Sequence, residues 1–102
     1  MKKRVIKFTV NAVRWFDKVN GNTYHSVRIT RISDGEVIKQ GMTYGYGDCY
    51  RQTALGIMAV CKWLPVKYRD DKTRWQYEME NNYPILWTVH DGLKREMTDN
   101  VE

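Results

Sequence analysis

The stretch Gly45-Tyr46-Gly47-Asp48-Cys49 gathers the residue types best able to do chemistry in this chain: spaced glycines, an acid and a thiol. Glycines ahead of a helix can cradle a phosphate, because free amides and the helix dipole converge on an anion. The spacing is not that of G-x-G-x-x-G, no Lys-Ser/Thr pair follows, and Asp48 puts a negative charge where the phosphate would sit. The stretch therefore reads as a strand-to-helix connection, with Gly45 and Gly47 supplying backbone angles closed to other residues. Cys49 at a helix N-terminus could be an activated nucleophile. The neighbouring Asp48 opposes a thiolate, and no histidine adjoins it in sequence, so a packing role is expected.

Other candidates for chemistry are scattered. His25, His90, Cys49 and Cys61 show neither C-x-x-C nor H-x-x-x-H spacing, so no metal and no cofactor is expected. Ser26 and Ser33 form no nucleophile motif, and Asp70, Asp71, Glu78 and Glu80 read as solvated charge. No enzymatic activity is expected. On one continuous helix Cys49 and Cys61 would lie ~18 Å apart at ~1.5 Å per residue, beyond the ~7 Å a disulfide spans. They are expected to be separate thiols, with Cys61 in the core.

A different pattern points to binding. Lys7, Asn11, Trp15, Tyr24, Arg28 and Lys39, with His90, fall on what should be the outward face of a sheet. Aromatic rings stack on bases while cations neutralise phosphate, so such a face suits a nucleic acid, and the arm Lys2, Lys3 and Arg4 adds charge. The overall balance agrees: 17 Lys and Arg against 12 Asp and Glu, a formal charge of +5. An ordinary solvated face, or a protein-binding surface anchored by aromatic residues and arginine, fits the same residues.

The elements that must position this face follow from periodicity. Arg4 to Phe16 alternates, with Ile6, Phe8, Val10, Ala12 and Phe16 opposite Lys7, Thr9, Asn11 and Trp15, as a half-buried strand does. Asn20-Gly21 predicts a type I′ hairpin turn into a strand over Thr23 to Ile32, with Val27 and Ile29 inward and Tyr24, Ser26, Arg28 and Thr30 outward. Asp34-Gly35 predicts a second turn into Glu36 to Tyr44, whose core face is Ile38, Met42 and Tyr44 unless a bulge at Gly41 flips the alternation. From Cys49 the period changes: Ala54, Ile57, Met58, Cys61 and Leu64 mark an amphipathic helix, capped by the Asp48 carboxylate and ended by Pro65. Residues 66 to 84 follow neither period; a short helix over Thr73 to Glu80 is the expectation there. Ile85 to His90 alternates as a last strand, with Ile85, Trp87 and Val89 on one face.

The fold class that results is α+β: an antiparallel sheet, made of a three-stranded meander plus a C-terminal strand, with one main amphipathic helix on one face. At 102 residues and 42% hydrophobic content the chain makes a single domain, 1–102. Its compact part should run from about Arg4 to the region of Met97, between frayed ends. The opening Met1-Lys2-Lys3-Arg4 is positive like a signal peptide, but Lys7, Asn11 and Arg14 interrupt the apolar stretch, and no run reaches the ~18 apolar residues of a membrane span. A cytoplasmic protein without a membrane partner is expected.

Two motifs, W-F-D-K-V-N-G-N-T-Y-H-S-V-R-I from Trp15 to Ile29 and M-T-Y-G-Y-G-D-C-Y-R-Q-T-A-L-G-I-M from Met42 to Met58, resemble a recurring class of small, mostly uncharacterised bacteriophage-type proteins. The resemblance implies an accessory protein acting in the host cytoplasm. Its partner is expected to be DNA or RNA or, alternatively, a host protein that it inhibits or redirects, such as a defence component. The order strand-strand-strand-helix is also similar to part of double-stranded RNA binding domains, though without their leading helix or the lysine-rich start of their last one. Neither likeness assigns a site residue.

Overall fold

A computed structural model describes residues 5–101 of the chain. Lys2, Lys3 and Arg4 lie outside the described residues. The elements, in order, are β1 (Phe8–Asp17), β2 (Asn22–Arg31), β3 (Val37–Tyr44), α1 (Cys49–Val60), a 3₁₀ turn (Val66–Tyr68), α2 (Gln76–Glu80), β4 (Ile85–Asp91) and α3 (Lys94–Asp99). They form a four-stranded sheet in the order β3-β2-β1-β4. The α+β class, the meander and the C-terminal strand agree with the sequence reading. The sheet is not wholly antiparallel, however: β4 runs parallel to β1, from Phe8↔Ile85 to Arg14↔Asp91. Parallel strands cannot be joined by a hairpin, and α1 with the stretch after it supplies the crossover they need.

Both hairpins turn where Asn-Gly and Asp-Gly stand, but neither is the expected two-residue type. Loops 18–21 and 32–35 each end on a glycine in the left-handed region, Gly21 at φ 70 and Gly35 at φ 74. Asn20 and Asp34 keep negative φ, because the side chains of Asp17 and Asp34 bind local amides and shape a wider turn. The Asp17 carboxylate accepts from Val19 N–H at 3.0 Å and that of Asp34 from Glu36 N–H at 3.1 Å.

The main core lies between α1 and one face of the sheet. Phe8, Val10, Ala12, Val27, Ile29 and Ile85 meet Tyr50, Ala54, Leu55, Met58 and Ala59 there, all buried. Phe16 has the right parity but stands past the end of the helix, and it is exposed. Met42 and Tyr44 are corrections: they are 52% and 63% exposed. The β2–β3 register shifts between His25 and Val27, so Gln40 pairs with Val27 whereas Thr43 pairs with His25. That bulge, beside Gly41, turns the last residues of β3 over, as a one-residue slip must.

The helix also ends earlier than Pro65 would end it. After Val60 the N–H of Trp63 bonds the Met58 carbonyl (2.8 Å) and that of Lys62 the Ala59 carbonyl (3.1 Å), with Lys62 at φ 62. This is a Schellman termination with lysine in the place glycine prefers. Cys61 is the C-cap, its N–H still bonding the Ile57 carbonyl (3.0 Å); it is exposed and not in the core, and both thiols are free. Asp48 holds the N-cap position, but its side chain makes no capping bond. The expected helix over Thr73 to Glu80 is real but shorter, Gln76–Glu80. The irregular chain around it is tied by side chains: the Tyr68 hydroxyl donates to Glu80 (2.7 Å), and Arg69 Nε donates to the Leu64 carbonyl (2.9 Å).

The chain after β4 folds over the other face of the sheet, and the order extends past Met97 into Thr98 and Asp99, which were expected to fray. α3 has 6 residues and one buried side chain, Met97, which is 1% exposed. Val13 and Ser26 beneath it are buried as well. The Ser26 hydroxyl donates to the Met97 carbonyl (2.7 Å), and Asn100 Nδ2 donates to the Asn11 carbonyl (3.0 Å). A helix this short is unstable alone, so packing must hold it. Met97→Ala is expected to lower unfolding free energy in urea by about 2–4 kcal/mol, the range for emptying a buried methionine site. A loss under about 0.5 kcal/mol, the range of surface substitutions, would mean that α3 does not cover the sheet.

Candidate nucleic-acid interface

Strand pairing decides which candidate residues share a surface. Trp15↔Tyr24 and Asn11↔Arg28 pair across β1 and β2, and Arg28↔Lys39 and Tyr24↔Tyr44 pair across β2 and β3. Lys7 continues the alternation of β1, its carbonyl accepting from Ile32 N–H (3.0 Å). Lys7, Trp15, Tyr24, Arg28 and Lys39 thus all point to the face opposite α1, as expected, and Tyr44 joins them because of the bulge.

They do not form one open surface. α3 crosses this face over Val13 and Ser26 and reaches β3 at Gly41, where Val101 packs. Lys7, Arg28 and Lys39 lie on one side of it, with Thr9 and Thr30 between them. Trp15, Tyr24 and Tyr44 lie on the other side. Arg28 and Tyr24 are ~13 Å apart along β2 at ~3.3 Å per residue.

On the basic side, Arg28 and Lys39 stand directly opposite each other. Among the described residues neither they nor Lys7 has a carboxylate partner, whereas Arg14, Arg31 and Lys67 are bridged to Asp91, Asp34 and Glu80. On the aromatic side, Trp15 and Tyr24 stack with centroids 5.8 Å apart, and Tyr24 meets Tyr44 edge-on at 5.8 Å. The ammonium of Lys94, from α3, sits 5.5 Å above the Trp15 ring. Trp15 is therefore already covered on one side by a cation. His90 lies on the same sheet face and faces Glu96 of α3 at 3.5 Å.

The stretch Gly45 to Cys49 proves to be a clamp. His25 is 1% exposed and lies under it. Its Nδ1 is 3.2 Å from the Gly45 carbonyl and its Nε2 is 2.7 Å from the Thr53 hydroxyl. A carbonyl only accepts, so Nδ1 carries the proton and neutral Nε2 accepts from Thr53. A Cβ on Gly45 would lie 2.8 Å from Cys49 Cβ and 3.1 Å from the His25 ring, so only glycine fits. Sequence reasoning found no histidine near Cys49 because the two meet only through the β2–β3 pairing. With both ring nitrogens engaged elsewhere, His25 does not activate the Cys49 thiol. Among the described residues no three His, Cys, Asp or Glu side chains converge as metal ligands.

Past the aromatic side, an open cleft of about 970 Å³ is bounded by Arg14, Phe16, Val19, Tyr46, Leu93 and Glu96, among others. Phe16, Val19, Tyr46 and Leu93 are exposed; of these the sequence singled out for binding only Tyr46, as a ring that could cover the core or meet a partner. No helix among the described residues is long and apolar enough to cross a membrane. No protein-family model, curated protein or solved structure matches the chain.

Burial pushes the His25 imidazole below its ordinary 6.5, against a smaller upward pull from the Gly45 carbonyl. The unfolded chain then binds the proton more readily, so the contribution is complete above about pH 6.5 and is lost as pH falls through the lower folded value. Stability measured by urea unfolding between pH 7 and pH 5 should drop with acidification, and His25→Asn should flatten that part of the slope. An unchanged slope in the variant would show that His25 does not titrate between the two states.

Proposed function

We propose that this protein is a small, non-enzymatic accessory protein of bacteriophage type that binds nucleic acid through the basic part of its outer sheet face. One observation carries the reading: Arg28 and Lys39 face each other across β2 and β3 without a carboxylate partner among the described residues. Like charges directly opposite on neighbouring strands are destabilising, and a phosphate backbone would relieve that repulsion. Lys7 extends the same row, and the arm Lys2, Lys3 and Arg4 precedes it in the chain. The hydroxyls of Thr9 and Thr30 lie between these cations and can donate to phosphate oxygens.

The role of the rings is secondary in this reading. Trp15 and Tyr24 can stack on bases, but α3 stands between them and the cations, so a strand lying on Arg28 and Lys39 would pass α3 before reaching them. The affinity then rests mainly on counterion release and falls steeply with salt. A host protein as partner, the alternative occupant, is favoured by a separate feature, the exposed apolar end of the sheet beyond Trp15.

Titration at low salt against single-stranded and duplex DNA and RNA tests the proposal, with no binding to any of them as the result that ends it. Arg28→Ala with Lys39→Ala should weaken binding and reduce the slope of log K against log salt by about 1.5, at ~0.7–0.9 for each phosphate no longer neutralised. Trp15→Ala should change affinity by less than about threefold, since base stacking is worth ~1–3 kcal/mol only where the ring reaches a base. Equal losses from the two variants would mean that nucleic acid spans both sides of α3.

A further inference from the structure

Beyond Arg14 the sheet lacks a strand on its β4 side. The β1–β4 ladder ends at Arg14↔Asp91, and a last bond runs from Gly92 N–H to the Arg14 carbonyl (2.8 Å). Leu93, extended at φ −84 and ψ 161, then leads the chain away into α3. β1 continues through Trp15, Phe16 and Asp17, paired with β2 alone.

Backbone groups along a strand point alternately to its two neighbours. The Arg14 carbonyl points to the β4 side, so the N–H and C=O of Phe16 point there too. The residue opposite Phe16 agrees with this: the carbonyl of Thr23 accepts from Gly45 N–H (3.0 Å), on the β3 side and away from β1. Among the described residues nothing takes the place of β4 at Phe16. An unpaired donor and acceptor therefore face the cleft.

What surrounds this bare edge selects its occupant. The side chains of Phe16, Val19, Tyr46 and Leu93 are each more than half exposed. A cluster of large apolar groups at one end of a protein marks an interaction surface. The charge of the cleft is not that of a phosphate site. Asp17, Asp91 and Glu96 line it against Arg14 and Lys18, and the Arg14 guanidinium is engaged by Asp91 at 2.8 Å and by the Gly47 carbonyl at 3.0 Å.

We propose that this end of the sheet is a docking site for an extended segment of a partner protein, with apolar side chains and at least one Lys or Arg, which adds a short strand to β1 at Phe16. Strand addition takes affinity from main-chain hydrogen bonds and specificity from the flanking side chains. Successive side chains of the added strand lie beside Phe16 on one face and beside Trp15 on the other. A cation in the segment meets Glu96, since both carboxylate oxygens of Asp91 already accept from the Arg14 guanidinium, at 2.8 and 3.3 Å. The site is separate from the basic row at Arg28 and Lys39, so the two can succeed or fail independently.

The test uses the whole protein, a displayed library of random dodecapeptides, and ¹⁵N NMR with the enriched peptides made synthetically. Enrichment should favour alternating apolar residues with Lys or Arg, and a bound peptide should shift the Phe16 amide and slow its hydrogen exchange at least about tenfold, as a new ladder bond does. N-methylation of the peptide backbone should abolish binding. Glu96→Lys, at an exposed position, should weaken it by about tenfold, equal to ~1.4 kcal/mol. The proposal is overturned if no peptide is enriched, if the enriched peptides are acidic, or if they leave the Phe16 amide unmoved. It is equally overturned if the Phe16 amide responds to a single-stranded oligonucleotide or to self-association and not to peptide.

Discussion

The hydrogen-bond ladders on the two edges of β1 are the constraint from which the rest of the molecule follows. On one edge β2 runs antiparallel, and on the other β4 runs parallel. A central strand so placed can bury both faces; β1 buries one along the core under α1 and the other only at Val13. Phe8, Val10 and Ala12 enter the core under α1, while Val13 enters the smaller one under α3. The parallel pairing with β4 requires a long crossover, which brings α1 across the sheet. The end of β4 then sets where α3 begins.

Between β3 and α1 the chain must turn closely over β2, and His25 makes this possible. Its buried imidazole satisfies the Gly45 carbonyl and the Thr53 hydroxyl. Gly45 brings the backbone close enough for that bond, and its missing Cβ leaves room for Cys49. Gly45-Tyr46-Gly47-Asp48-Cys49 thus serves geometry: the glycines admit the turn, and the thiol packs beside it. The acid at the helix start is exposed and makes no capping bond.

The outer face shows how a short helix changes the meaning of a surface. Without α3, Lys7, Arg28, Lys39, Trp15 and Tyr24 would form one basic and aromatic platform. With it, the cations stand apart from the rings, and Trp15 is shared between Tyr24 and Lys94. The exposed apolar groups gather instead around the open edge of β1, where carboxylates line the cleft. Two surfaces of different chemistry result, one basic and the other apolar with carboxylates at its border.

By itself the sequence determined the elements whose signal is local. Alternation in β1, β2 and β4 and the helical period after Cys49 are properties of single segments, and the glycines at 21 and 35 mark turns wherever those segments lie. It also foresaw that Gly41 could invert β3, since a missing side chain is where a strand bulges. Tertiary structure alone decided the type of each turn, the parallel setting of β4, and the exposure of Cys61 at the end of the helix. It alone folded residues 94–99, which carry a single buried apolar side chain and too few residues to hold a helix without a sheet beneath. For the candidate sites the division is the same. Which residues share a strand face is legible from a period of two, but what covers that face, and which edge is left without a neighbour, depends on segments distant in sequence meeting in space.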